Sequence, residues 1–327
     1  MEQSGPPLSV VVVTFRNAAT LPGVLAALKR EAPPGTELLI VENGGDPTIE
    51  SVVRASWPDA LVTVNARNRG FAAGINQGVR QAASASLLLL NPDAEVGPRA
   101  IAALQAALAN LPDAGIVAPR LLDAEGRPVL SAYPFLSPLD VAWRLRQIRR
   151  VLPDLVTGRY RRLTLDPAGA EPVRVDWAQG ACWLIRRAML HEVGPFDERF
   201  FLYAEEVDFC YRAARRGWRT YLVPTATVRH AEGSSTSQVV PLKLASHYLS
   251  KAVYFAKHHG PAAQAAVRAI LLLDLALRIV YRAIGVARGH PPDARQRLIA
   301  YARIARLLLT LPPDRLVRAW HRIGNRL

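Results

Sequence analysis

Through the first ninety positions, short apolar runs alternate with patterns of helical period. Residues 8–14, centred on Val10-Val11-Val12-Val13, predict a strand buried on both faces. Residues 20–30 predict a helix with Pro22 in its first turn. The alternation continues with a strand over 37–41, a helix over about 47–55, a strand over 60–64, a helix over 72–83 and a strand over 86–90. Strands that alternate with helices predict βαβ units and a parallel sheet with right-handed crossovers. Residues 98–109, rich in Ala, Leu and Ile, predict one more helix, suited to packing.

Further along, the pattern loosens. Residues 120–175 are irregular and rich in Pro and Arg, with a helix expected around 140–151. Regular structure resumes at Val173, followed by a helix over 205–216 and a strand over 220–223. After about Pro241 the chain reads as helical, with breaks near Gly260, at Gly289-His290-Pro291-Pro292 and at Pro312-Pro313. It contains no internal repeat and no low-complexity linker.

Polar clusters fall directly after the early strands: Thr14-Phe15-Arg16-Asn17, Glu42-Asn43-Gly44-Gly45, Asn68-Arg69-Gly70 and Asn91-Pro92-Asp93. Parallel strands place all four along one rim, where open α/β sheets bind ligands. Asp93 ends the buried run Leu87-Leu88-Leu89-Leu90, and the Asn91-Pro92 turn aims it outward. The structural alternative is a cap for the helix at 98–109. The stretch from Asn68 to Gly78 is Gly-rich and opens a helix, which suits close approach to a phosphate. Packing of that helix on the sheet accounts for Gly74 and Gly78 equally well. No Walker loop or dinucleotide fingerprint is present.

Glu205, Glu206 and Asp208 crowd the first turn of a helix that ends in Arg212, Arg215 and Arg216. Dipole complementarity and an Asp208–Arg212 pair explain part of this pattern. Two consecutive acids after Phe200-Phe201-Leu202-Tyr203 exceed it. One of them faces a pocket, where apolar surroundings raise its pKa towards that of a general base. His230, after a strand, becomes a candidate metal ligand in the company of these carboxylates.

Half of the residues are hydrophobic, which supports a large core and excludes global disorder. The net charge of +14 is concentrated at the end: from Lys243 onward, fifteen Lys and Arg face only Asp274, Asp293 and Asp314. Such a tail suits a polyanion or a solvated helical surface. Aromatic interleaving is too sparse for a nucleic-acid binder, which leaves an anionic membrane surface as the expected partner. The most apolar stretch, residues 262–286, is interrupted by Arg268, Asp274, Arg278 and Arg282 and does not span a bilayer. Cys182 and Cys210 show no metal or redox spacing and read as buried thiols in a reducing cytosol. With no basic n-region at the start, the expected location is cytoplasmic, peripheral on the inner face of the cell membrane.

These residues together resemble the family-2 inverting glycosyltransferases of the GT-A fold, within them the rhamnosyltransferase-like group. The resemblance runs from about Val10 to Ser235. Its most specific segments are Asn68–Gly78, Asn91-Pro92-Asp93, Gly180-Ala181, Arg186-Arg187, residues 193–198 and Glu205-Glu206-Val207-Asp208. It implies an α/β nucleotide-sugar-binding domain over 1–240 with a mostly parallel central sheet, then a basic amphipathic helical extension over 241–327. Within the domain, 8–93 form the nucleotide-binding half and 94–240 the acceptor and catalytic half.

The resemblance further implies donor contacts from Thr14, Phe15, Glu42, Asn43, Asn68, Gly70, Gly74, Asn76 and Asp93; Glu42 stands where Asp is usual. Asp93 matches the last acid of an Asp-x-Asp metal motif whose first acid is here Asn91. His230 matches a histidine that completes coordination of Mg²⁺ or Mn²⁺ in some relatives. Glu206 matches the base, and Asp176, Trp177 and Glu205 are expected on the acceptor side. The implied donor is dTDP-L-rhamnose, with a UDP-sugar (for instance galactofuranosyl transfer) as the alternative. The implied acceptor is a glycan or polyprenyl-linked glycan of the cell envelope. A sugar nucleotidyltransferase is excluded, because Thr14-Phe15-Arg16-Asn17 replaces its Gly-rich loop. A non-catalytic membrane scaffold remains as a reading of another class. For the helical extension the alternatives to membrane contact are packing on the catalytic domain and a homodimer interface.

Overall fold

The β-branched run near the start of the chain becomes the strand around which the sheet is built. The computed structural model describes residues 7–143, 165, 169–230, 240–287 and 293–324. In it β1 (Ser9–Thr14) lies between β2 (Glu37–Glu42) and β4 (Ser86–Leu90), with β3 (Leu61–Val64) outside β2, all parallel. The connecting helices are α1 (Leu21–Glu31), α2 (Thr48–Ser56) and α3 (Phe71–Gln81). Because side chains alternate along a strand, Val10 and Val12 join the cluster formed with α1 and α2, while Val11 and Val13 join the one containing α3. Gly74 and Gly78 let α3 approach: a Cβ at either would stand 2.7 Å from Val13 Cγ1 or 2.4 Å from Val11 Cγ1.

The second half completes the sheet with strands that the hydrophobic pattern left undelimited, apart from the part of β11 read at 220–223. They are β5 (Ala94–Val96), β6 (Ala114–Leu122), β8 (Val173–Val175), β10 (Cys182–Arg186) and β11 (Arg219–His230). The order is β3-β2-β1-β4-β10-β6-β11-β5, with β8 beside β11; β10, β5 and β8 run against the other six strands. A separate ribbon pairs β7 (Ala132–Tyr133) with β9 (Trp177–Ala178). β6 was missed because Gly115, Pro119 and Arg120 interrupt its apolar run. β11 outruns the expected 220–223, since a register shift between Val223 and Thr227 absorbs Pro224.

The helices of this half are α4 (Ala100–Asn110), α5 (Pro138–Trp143), α6 (Arg187–Val193) and α7 (Glu205–Arg215). Only the first turns of the helix expected at 140–151 fall within the described residues. Four helices follow: α8 (Val240–His258), α9 (Pro261–Ala287), α10 (Asp293–Thr310) and α11 (Pro313–Gly324). The breaks at Gly260 and Pro312 appear as read, and the one at 289–292 lies outside the described residues. The core continues across position 240. Trp320 of α11 is fully buried, its Nε1 donates to Ser246 Oγ at 2.9 Å, and its ring lies 6.4 Å from Phe201.

Candidate active site

Parallel strands set the rim. β1, β2, β4 and β11 all end on one side of the sheet, and the antiparallel β10 begins there, so residues 180–181 join the same edge. The Asn91-Pro92-Asp93 turn is closed by Ala94 N–H donating to Asn91 O at 3.1 Å and tied to Ala181 O by Asn91 N–H at 2.9 Å. Directly after it, β5 pairs antiparallel with β11, Ala94 opposite His230. This register brings Asp93 Oδ1 to 3.2 Å from His230 Nε2, both side chains nearly buried, with Asn91 Nδ2 3.4 Å from the same nitrogen. Asp93 does not cap α4. That helix starts after Arg99, whose N–H donates to Glu31 at 2.6 Å. Residues 231–235 lie outside the described residues.

Across the cleft, α7 carries the acids. Its approach is tightly constrained: Tyr203 and Ala204 both sit at φ +67°, a conformation costing roughly 1–3 kcal/mol for a side-chain-bearing residue. Phe200 and Phe201 are core residues, and Phe201 O accepts from Phe71 N–H at 2.7 Å. Glu206 Oε1 accepts from Gly180 N–H at 3.1 Å. Burial raises the Glu206 carboxyl to about 7 against the pull of that hydrogen bond and of His230. Burial, then the charges of Glu206 and Asp208, push Glu205 well above the ordinary carboxylate range. Its Oε2 has no hydrogen-bond partner among the described residues.

Asp208 faces the other way and is fully buried. It accepts from Arg212 at 2.9 Å, and from Lys257 at 2.5 Å and His258 at 2.6 Å, both on α8. Burial would raise this carboxyl. The His258 hydrogen bond and the charges of Arg212 and Lys257 outweigh it and hold it below its usual value. The Asp208–Arg212 pair expected from spacing is therefore part of a larger clamp between α7 and α8.

One cavity of about 500 Å³ gathers most of the candidate residues. Thr14, Phe15, Asn43 and Asn68 line it on the side of the first strands, Asp93 and His230 at the sheet rim, and Trp177, Glu205 and Glu206 on the catalytic half. Five expected contacts, Glu42, Gly70, Gly74, Asn76 and Asp176, lie outside its lining, and each has a packing reason. Glu42 is fully buried, accepting from Thr14 Oγ1, Gly44 N–H and Arg16 N–H, and so binds two rim loops together. Gly74 faces Val13. Asn76 brackets Phe196, accepting from its N–H and donating to its carbonyl, both at 2.9 Å. Asp176 accepts from Phe135 N–H at 3.0 Å.

Gly70, at φ +91°, serves close contact: a Cβ there would meet Phe201 O at 2.9 Å. Trp177 stacks on Tyr133 with centroids 4.8 Å apart and donates to Pro134 O at 2.8 Å, which fixes its ring in the wall. From the helical extension, Leu242, Lys243 and His247 of α8, which the sequence reading missed, also line the cavity. Their only signal was the basic character of the tail. Gly180 was noted as part of a motif without a role. A Cβ there would stand 2.9 Å from Glu206 Cγ and Oε1.

Asp93 and His230 supply a hard oxygen and a nitrogen 3.2 Å apart at the cavity rim. Among the described residues no cluster of three His, Cys, Asp or Glu could hold a metal ion. That donor set fits a divalent cation which takes its remaining ligands from substrate phosphates and water.

The family profile described as "Glycosyltransferase like family 2" matches residues 6–248. The chain belongs to glycosyltransferase family 2. This glycosyltransferase is 30% identical over 287 residues to the N-acetylglucosaminyl-diphospho-decaprenol L-rhamnosyltransferase of Mycobacterium tuberculosis, covering 83% of this chain and 91% of that one. Its fold resembles a mannosyltransferase of Pyrobaculum calidifontis in complex with GDP-Man and Mn²⁺, with TM-score 0.52, 17% identity and coverage of 94% and 88%. It also resembles GalNAc-T7 with UDP, GalNAc and Mn²⁺, with TM-score 0.53, 16% identity and coverage of 78% and 51%. The enzyme accordingly has the GT-A fold, with a mostly parallel central sheet and a helical C-terminal part. Among the described residues no helix is long and apolar enough to cross a membrane.

Proposed function

We propose that the enzyme transfers L-rhamnose from dTDP-L-rhamnose to a hydroxyl of an N-acetylglucosamine carried on a polyprenyl diphosphate, with inversion at the anomeric carbon. The observation that carries this reading is the single cavity shared by Glu205–Glu206 and by Asp93–His230. The choice of donor and acceptor draws on the M. tuberculosis relative, which is named for that transfer.

The acceptor hydroxyl oxygen forms a bond to the anomeric carbon while the bond from that carbon to the diphosphate oxygen breaks on the opposite face. The proton goes to Glu206, and the nucleoside diphosphate leaves. Gly180 N–H holds Glu206 Oε1, which orients the carboxylate for the proton. With a pKa near 7, Glu206 is both ionised in part and basic enough to act. Glu205, whose carboxyl is pushed well above the ordinary carboxylate range by burial and then by neighbouring charge, lines the acceptor side of the cavity. Asp93 and His230 would hold Mg²⁺ or Mn²⁺, which when bound neutralises the departing diphosphate.

The test is transfer of radiolabelled rhamnose from dTDP-L-rhamnose to N-acetylglucosaminyl-diphospho-polyprenol in the presence of Mg²⁺ or Mn²⁺. Labelled lipid is expected. Transfer from a UDP-hexose and none from dTDP-L-rhamnose would reject this donor.

A further inference from the structure

The helices after β11 leave one face uncovered. α9 buries Val267, Leu271 and Leu275 against its neighbours, yet exposes Leu273, Leu277, Val280, Tyr281 and Ile284, Val280 to 58% and Tyr281 to 70%. With ~3.6 residues per turn, these five fall within about a third of the helix circumference and run along roughly 16 Å of it. Ala262, Ala266 and Ala269, exposed on the same side, extend the strip towards the start of the helix.

The charged residues of α9 lie off this strip. Arg268 donates to the carbonyls of Leu308 and Leu311, and Asp274 accepts from Tyr248 and Arg278. A soluble monomer rarely leaves so long an apolar strip bare.

α10, packed against α9, supplies the complementary half. It buries Tyr301, Ile304 and Leu308 and exposes Arg295, Arg303 and Arg306, with Leu309 68% exposed among them. An apolar strip on one helix, with guanidinium groups exposed on the helix packed against it, matches the surface of an anionic bilayer. Side chains of the strip enter the acyl boundary, and the arginines meet lipid phosphates. Tyr281, apolar in its ring and polar at its tip, suits that boundary.

We propose that the exposed face of α9, together with Arg295, Arg303 and Arg306 exposed on the adjoining α10, docks the enzyme on an anionic bilayer with α9 lying in the interface plane. The proposal rests on the polyprenyl-linked acceptor of the preceding section, which docking would bring within reach of the cavity.

The test uses the full chain and vesicles of phosphatidylcholine with phosphatidylglycerol, without donor or acceptor. Wild type is expected to sediment with these vesicles and not with pure phosphatidylcholine. The triple variant Leu277→Glu, Val280→Glu, Ile284→Glu changes only exposed side chains. It is expected to bind the anionic vesicles at least about tenfold more weakly. Its melting temperature and its transfer to a water-soluble acceptor analogue are expected to match wild type. Arg303→Glu with Arg306→Glu is expected to weaken vesicle binding in the same way.

Three results would each overturn the proposal: undiminished sedimentation of the triple variant, wild type remaining in the supernatant, or a dimer-to-monomer change by light scattering with vesicle binding intact. Failure of rhamnosyl transfer while vesicle binding persists would strike the acceptor assignment alone.

Discussion

At the scale of single residues, the chemistry turns on how one carboxylate is kept basic. Burial and the Gly180 N–H set Glu206 near pH 7. Turnover should therefore climb as pH rises through about 7, where the carboxyl loses its proton, and level off above it. Glu206→Gln should lower kcat by roughly a hundredfold or more and abolish that rise, with donor KM little changed, as steady-state kinetics across pH would show. Gly180→Ala pushes a methyl into Glu206 and should cost kcat about tenfold while leaving donor binding intact. Asp93→Ala should eliminate Mn²⁺-dependent donor binding in calorimetry, and titrations matching wild type would remove Asp93 as a ligand. Each of these acids was legible as a candidate, since an acid ending a buried strand and two acids opening a helix are local patterns. Glu42 and Asn76 lie outside the cavity lining and make internal hydrogen bonds, and an internal bracket and a ligand contact ask for the same residue types. Only the three-dimensional neighbours separate the two uses.

At the scale of elements, α7 is held from both sides, by strained residues at its start and by the Asp208 clamp to α8. Removing the acid strips His258 of its carboxylate partner and leaves Lys257 only Asp197 and Arg212 only the carbonyls of Val193 and Pro195, so Asp208→Ala should destabilise the fold by about 3 kcal/mol in chemical denaturation. The Asp208 carboxyl titrates below its unfolded value. Its contribution is thus complete above about pH 4 and is lost as pH falls through the lower, folded value. A comparison of melting temperature against pH for wild type and Asp208→Asn would isolate that acid-labile part. The strands of the first half were readable because β-branched runs buried on both faces leave a continuous signal. β5, β7 and β9 are too short to show a period. β6 carries Gly115 for contact with Met189, and β10 was not distinguished within the resumed regular structure.

At the scale of the whole molecule, the basic extension is not an appendage. Its first helix closes part of the cavity, and its last buries Trp320 beside Phe201. Calorimetry of the full chain should show one cooperative transition. A chain ending at position 240 should be insoluble or molten, since it would bare the aromatic surface under α8 and α11; a folded, active fragment would contradict this. Composition and charge revealed that the end of the chain is helical and basic. They concealed its share in the reaction centre, because contacts between residues fifty positions apart leave no periodic trace.

The clamp also constrains exchange between relatives. Asp197, whose Oδ2 accepts from Lys257 Nζ at 2.6 Å, and Asp208 on one side and Lys257 and His258 on the other form a matched set, so a chimera that swaps the final helices must carry all four from the same parent. A hybrid joined between them would inherit a lock and a key cut for different doors.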